Sequence, residues 1–349
     1  MSTVWPPEGA RGAARQGEGS PVIPLASSRQ AADSGHWDLA AVVGGLRAVR
    51  DRWRESQGRT KEFGGREFPS RDALQQIVGQ LVGALFPMRL GPTDLRQESE
   101  DFYVGYTLDA ALHGLLEQVT LELLHQARHS ALSVDTARAQ AIGLVREFAA
   151  VLPDIRALLD TDVLAAYQGD PAARSVDEIV LCYPGVLAVI YHRIAHRLYR
   201  FGVPLIARIV SELAHSATGI DIHPGATVGH SFFIDHGTGV VIGETAVIGN
   251  RVRLYQAVTL GAKRFEIGED GALAKGQPRH PVLEDDVVVY AGATILGRIT
   301  IGAGSSIGGN VWLTHSVPPG SHISQASLQQ HAPALREGLH EGLHEGRRA

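Results

Sequence analysis

Two hydrophobic periods divide the chain. From about residue 36 to 216, apolar positions recur at three- and four-residue steps, the spacing of one helix face. This predicts helices over His36–Trp53, Ser70–Phe86, Asp101–Arg128, Ser133–Leu159, Pro184–Phe201 and Pro204–Ala214. Ser70, Ser133 and the pair Thr161-Asp162 are candidate caps. Pro87 and Gly91-Pro92 mark breaks, and Gly202 stops one helix before the next. These helices read as a packed bundle and carry no chemistry of their own.

Near Gly219 the period becomes six. Ile222, Val228, Ile234, Ile242, Ile248, Leu254 and Leu260 form one block, and Leu283, Val289, Ile295, Ile301, Ile307 and Leu313 form a second. Four residues after most of these stands a second small or apolar residue, such as Ala226, Thr238, Ala246 or Val258. Glycine often follows the aliphatic directly, as at Gly229, Gly243 and Gly302. A six-residue unit of this kind is a short strand plus a turn, and three units close one triangular coil. The aliphatic points inward and stacks on its copies above and below. The expected fold is therefore an N-terminal all-α helical domain followed by a parallel β-helix. The likeness to other hexapeptide repeats implies a left-handed one.

Two departures interrupt the six-residue step. Ile234 to Ile242 is eight residues, with the excess at Gly237-Thr238-Gly239 just after Asp235-His236. A long excursion over 262–278, containing Lys263-Arg264, leaves the coil and ends at Arg279-His280-Pro281. Loops extruded from a repeat scaffold are where function is usually placed, and both departures adjoin a histidine. The domains expected are a disordered tail (1–35), the helical domain (36–216), the β-helix (217–320) and a flexible C-terminal tail (321–349).

Composition narrows the class. The net charge of −5 offers no basic excess for nucleic acid. No apolar run reaches the length of a membrane span. The first 34 residues lack the hydrophobic segment of a secretory signal. The single cysteine, Cys182, permits no internal disulfide. A cytoplasmic location is expected. The apolar run around Cys182 predicts a buried, inert thiol.

Histidine is the natural base at neutral pH, but there are sixteen. His340 and His344 fall in a polar tail, and His192 and His196 share a helix face among packing residues. His236 and His280 differ because each flanks a break in a regular coil.

The run Asp221-Ile222-His223-Pro224-Gly225 through His230, Asp235-His236-Gly237-Thr238-Gly239 and Gly243-Glu244-Thr245-Ala246 resembles the signature of the serine acetyltransferase family. Gln256 to Gly261, Arg279-His280-Pro281, Ile307 to Asn310, Gly169-Asp170-Pro171 and Tyr191 to His196 follow the same order. The match covers about residues 165–320, and the longer helical region resembles the long-form bacterial members.

The resemblance implies an acyltransferase that moves acetyl from acetyl-CoA to the L-serine hydroxyl, giving O-acetylserine for cysteine biosynthesis. His236 is then the general base, in a direct ternary complex, and Asp221 orients its ring. Asp170 and Asp235 match the residues that hold the substrate ammonium. Arg279 and His280 match the pair that binds the substrate carboxylate, and His280 is also expected among the catalytic residues. Ala262, Ala291, Gly292 and Gly309 match the CoA cleft, although Gly261-Ala262 stands where the family has Gly-Gly. The family's site lies between protomers, implying a homotrimer or a dimer of trimers. No metal, nucleic acid or membrane is implied. The tail, Glu345 to Ala349, lacks the isoleucine tip that binds cysteine synthase, so that complex is not expected.

Three other readings exist. Hexapeptide acyltransferases of sugar or antibiotic hydroxyls share the fold and a loop histidine, but usually not the Asp-His and Arg-His pairs. A γ-type carbonic anhydrase needs three histidines on zinc, for which His223, His230, His236 and His280 are candidates. A structural β-helix has no use for Asp, His and Arg-His at its breaks. Homoserine is the alternative acceptor.

Overall fold

A computed structural model describes residues 37–56, 58, 68–127, 133–264 and 276–326. The chain divides into two compact units, Met1–Glu62 and Phe63–Ala349. In the first, helix α1 (Leu39–Ser56) buries none of its residues.

The second unit begins with the remaining helices found among the described residues. They are α2 (Arg71–Leu85), α3 (Pro87–Leu90), α4 (Glu100–Gln126), α5 (Val134–Ala150), α6 (Leu152–Gly169), α7 (Val176–Cys182), α8 (Pro184–Arg200) and α9 (Pro204–Thr218). Ser70 and Ser133 cap α2 and α5 as expected, their side chains accepting the Ala73 and Thr136 N–H groups. Gly219, at φ 70°, ends α9 in the left-handed conformation that glycine adopts without strain.

Three helical expectations need correction. Ser133–Leu159 is two helices, broken at Val151, because Pro153 starts α6 in the first turn, where a missing N–H costs nothing. Thr161-Asp162 is no cap but mid-α6, where Asp162 is buried against Arg193. Helix α7, capped by Ser175, went unread. It carries Cys182 on an exposed face, so the thiol is accessible and not buried.

After α9 the chain winds into a left-handed parallel β-helix of three sheets. Sheet one stacks β1 (Asp221–Ile222), β4 (Val241–Ile242), β7 (Thr259–Gly261), β10 (Thr294–Leu296) and β13 (Trp312–Leu313). Sheet two stacks β2 (Thr227–Val228), β5 (Val247–Ile248), β8 (Val282–Leu283) and β11 (Thr300–Ile301). Sheet three stacks β3 (Phe233–Ile234), β6 (Arg253–Leu254), β9 (Val288–Val289), β12 (Ser306–Ile307) and β14 (His322–Ile323). Every pairing is parallel, and each period-six aliphatic pairs with its copy in the next coil, as Ile222 with Ile242 and Ile248 with Leu283. All thirteen of these aliphatics are buried. Each such side chain contributes about 1.5–3 kcal/mol relative to exposure.

The eight-residue step is absorbed outside this core. The inward position after Ile234 is filled by Val240, 0% exposed, and not by Thr238, which faces solvent. The helical core continues into the coil, where Ile220 and Ile222 join the cluster containing Ile190, Ile194 and Ile206.

Candidate functional site

Where sheet three passes to sheet one, successive coils turn on residues with positive φ: Gly239 (80°), Ala257 (58°), Gly292 (72°) and Asn310 (54°). Each N–H from Ala257 onward bonds the coil below, to Thr238, Gln256 and Ala291 carbonyls, all at 2.9 Å. The two surplus residues of the first turn lie ahead of this ladder. They give His236 a φ of 59° and Gly237 a φ of 85°. Only glycine fits at 237, since a Cβ there would lie 2.4 Å from Ile220 Cδ1. A left-handed non-glycine residue costs about 1–3 kcal/mol. The corner holds His236 in that state with its side chain 70% exposed.

One carboxylate lies beside the imidazole and a second acts on it through its charge. Asp235 Oδ1 lies 3.8 Å from His236 Nε2, while Asp235 Oδ2 accepts Arg253 Nη2 at 2.8 Å. The Arg253 guanidinium lies over the rings of Phe233 and Tyr255, 5.0 and 4.7 Å from their centroids. Asp170, just past the end of α6, accepts the Tyr183 hydroxyl at 2.5 Å and the Ala172 N–H at 2.8 Å. The Tyr183 bond, then the Ala172 bond and the charges of Arg253 and His236, hold the Asp170 carboxyl below its ordinary range. Tyr183 is pushed up to about 12 by the same contact. Arg253 and Tyr183 escaped the sequence reading. The coil register was the available signal for Arg253, which pairs with Phe233 one coil below.

Asp221 is half-buried on β1, and no hydrogen bond joins it to His236. Ligand atoms of Glu212, His215 and Asp221 lie within 4.8 Å of one another, the only such grouping among the described residues. Among the described residues, no three histidines bring their ring nitrogens together.

Arg279 and His280 occupy the other border of sheet one, at its turn to sheet two. His280 Nδ1 accepts the Thr245 backbone N–H at 3.1 Å. A backbone N–H can only donate, so Nδ1 is unprotonated and Nε2 carries the proton. Burial first, then the Arg279 charge, push His280 down to about 4, which fixes it as a neutral donor near pH 7. Its ring lies where a Gly243 Cβ would stand, 2.0 Å from Cδ2. Arg279 Nη2 donates to Glu244 Oε2 at 2.7 Å. No hydrogen bond or ion pair among the described residues links this set to Asp170, Asp235 and His236.

The positions expected to bind CoA also divide. Ala291, Gly292 and Gly309 line the His236 border, where Asn310 Oδ1 occupies the space a Gly292 Cβ would need. Ala262 lies on the Arg279 border. Beside it, a groove of about 260 Å³ is lined by Lys263, Arg264, Arg279 and Arg298 and by no acidic residue among those described. Residues 265–275 of the excursion lie outside the described set.

The chain is 59% identical over 264 residues to a Synechococcus elongatus protein named plasmid serine acetyltransferase, covering 75% of this chain and 83% of that one. It is 46% identical over 166 residues to a Bacillus subtilis serine acetyltransferase, 48% of this chain and 72% of that one. The solved Entamoeba histolytica serine acetyltransferase 1, in complex with L-cysteine, superposes with a TM-score of 0.62 at 37% identity, covering 71% of this chain and 86% of that one. No protein-family model matches. No single helix among the described residues is long and apolar enough to cross a membrane.

Proposed function

The chain belongs to the serine acetyltransferase family, a family of acyltransferases, and we propose that it transfers acetyl from acetyl-CoA to the L-serine hydroxyl with His236 as general base. One observation carries this reading. The surplus of two residues lifts His236 out of the corner ladder, exposed and flanked by Asp235 and Asp170.

His236 takes the hydroxyl proton as the serine oxygen attacks the thioester carbonyl, and returns it to the departing CoA sulfur. A placed base is typically worth ~10²–10⁴ in rate. Asp235 and Asp170 favour the imidazolium in passing, and Asp170 takes the substrate ammonium. Asp235 already bonds Arg253, so its part is chiefly to face the imidazole. Asp221, the ring's orienter by family resemblance, makes no hydrogen bond to His236 in the single chain.

The substrate carboxylate needs cationic or N–H donors. Arg279 and the His280 Nε2–H supply them, but from the other border of sheet one. A homotrimer that sets one protomer's His236 border against the next protomer's Arg279 border completes the site. The same cleft suits acetyl-CoA, with small residues along one wall and the cations Lys263, Arg264 and Arg298 for its phosphates. The setting is cytoplasmic cysteine biosynthesis.

Thiol release from acetyl-CoA with L-serine, L-homoserine or no acceptor, compared with His236→Ala, tests this. Serine-dependent release lost in the variant is expected. Release preferring homoserine moves the substrate, and no release from a trimer with any acceptor overturns the proposal.

A further inference from the structure

The Arg279 side chain is held by groups to which no role has yet been given. Among the described residues its Nη1 has only a 3.4 Å contact with the Gln277 carbonyl, so its orientation comes from Glu244 Oε2, bonded to Nη2 at 2.7 Å. Glu244 is in turn pinned through its other oxygen, which accepts the Tyr199 hydroxyl at 3.1 Å. Tyr199 belongs to α8, in the helical domain, and meets the His223 ring edge-on at 5.8 Å. His196, one turn earlier on α8, donates from Nδ1 to the Pro224 carbonyl at 2.9 Å. The helix is thereby fastened to the turn between β1 and β2. Gly225 in that turn leaves room for the reach, since a Cβ there would stand 3.1 Å from Glu244 Cγ.

We infer that Glu244 and Tyr199 are positioning residues for the acceptor's carboxylate, fixing the Arg279 guanidinium from the helical domain and so selecting acceptors that carry an α-carboxylate. This rests on the acetyl transfer proposed above. Glu244 uses Nη2, and among the described residues Arg279 Nε has no hydrogen-bond partner. The Nε–H and the His280 Nε2–H are two donors on one border, and an incoming carboxylate needs both aimed correctly. A free arginine side chain loses about 2 kcal/mol of rotamer entropy on being fixed. An anchor that prepays this ordering lowers the acceptor's KM without touching the chemical step.

The test compares L-serine with L-serinamide, which keeps the amine and hydroxyl and lacks the carboxylate. The full-length protein is assayed at saturating acetyl-CoA as wild type, Glu244→Gln, Tyr199→Phe, Arg279→Ala and Arg279→Ala/Glu244→Gln. Glu244→Gln is expected to raise KM for L-serine about tenfold with kcat within about twofold. The serinamide constants should move less than about twofold. Tyr199→Phe shifts in the same direction by a smaller factor, and Glu244→Gln adds nothing in the Arg279→Ala background. Equal losses with both acceptors mark a merely structural role and overturn the inference. A lower KM for L-serine in Glu244→Gln overturns it too, since Glu244 would then compete with the substrate. A wild type that acetylates neither acceptor refutes the acetyl transfer itself, a failure distinguishable by its presence before any substitution.

Discussion

Asp162→Asn is the most informative single change in the scaffold. Asp162 and Arg193 are 2% and 5% exposed. Arg193 Nε and Nη2 reach the two Asp162 oxygens at 3.1 and 3.0 Å, while Nη1 and Nη2 donate to the Val228 and Gly229 carbonyls at 2.5 and 2.6 Å. Asp162 Oδ1 also accepts the Phe232 N–H at 2.8 Å, three residues before Asp235. The pair thus ties α6 and α8 to the second and third strands of the first coil. Burial pushes the Asp162 carboxyl up even against Arg193, so the intact pair is a modest source of stability. Removing one partner is different, because it leaves a guanidinium buried without its counter-charge at a cost of about 3–5 kcal/mol. At about 2–4 °C per kcal/mol for a domain of this size, Asp162→Asn should lower Tm by about 6–20 °C. Urea unfolding of Asp162→Asn, Arg193→Met and the double variant checks it. The double variant should lose at least about 2 kcal/mol less than the sum of the singles. A loss under about 1 kcal/mol, or strict additivity, refutes the reasoning.

Other outcomes follow from the site and its surroundings. Gly243→Ala places a methyl 2.0 Å from His280 Cδ2 and should cut L-serine kcat/KM at least about tenfold, with far-UV circular dichroism unchanged. Burial first lowers the affinity of His280, His192, His196 and His223 for protons, so the folded state resists charging them while unfolded imidazoles accept protons near about 6.5. Stability from these groups is present above that pH and is lost as pH falls toward about 4, the His280 value. The urea midpoint should therefore decline from pH 7 to 5, and a flat profile contradicts the assignment. Cys182, exposed at the end of α7, should react fully with maleimide in native buffer, read by intact mass. A requirement for denaturant would place the thiol inside.

Much of the fold was legible because the period-six aliphatics have one job, to fill a coil, and nothing else in the sequence competes with that signal. The eight-residue step hid one core position: Val240, and not Thr238, faces inward there, because the turn itself is longer. The helix break at Val151 was hidden because apolar spacing runs straight through it and proline in a first turn leaves no gap. Cys182 was misjudged because neighbours in sequence point to different sides of a helix, and its apolar neighbour Ile179 faces inward while the thiol does not. The site residues were legible as a motif, but their division between two borders was not. That division follows from each residue's place within the three-strand repeat. The Arg253 and Tyr199 contacts run between coils and between domains, where no local pattern signals them.

The two surplus segments differ greatly in length, yet both leave the stacking untouched: Asp221 still pairs with Val241 across the first, and Val247 with Val282 across the whole excursion. A turn of this scaffold can grow without disturbing anything beneath it, because stability is stored in the coil and the corners merely close it. Stability and chemical novelty are thereby inherited separately. An insertion at a corner is a nearly free experiment for evolution, and the same freedom marks the corners as the places where a designer could graft a new loop.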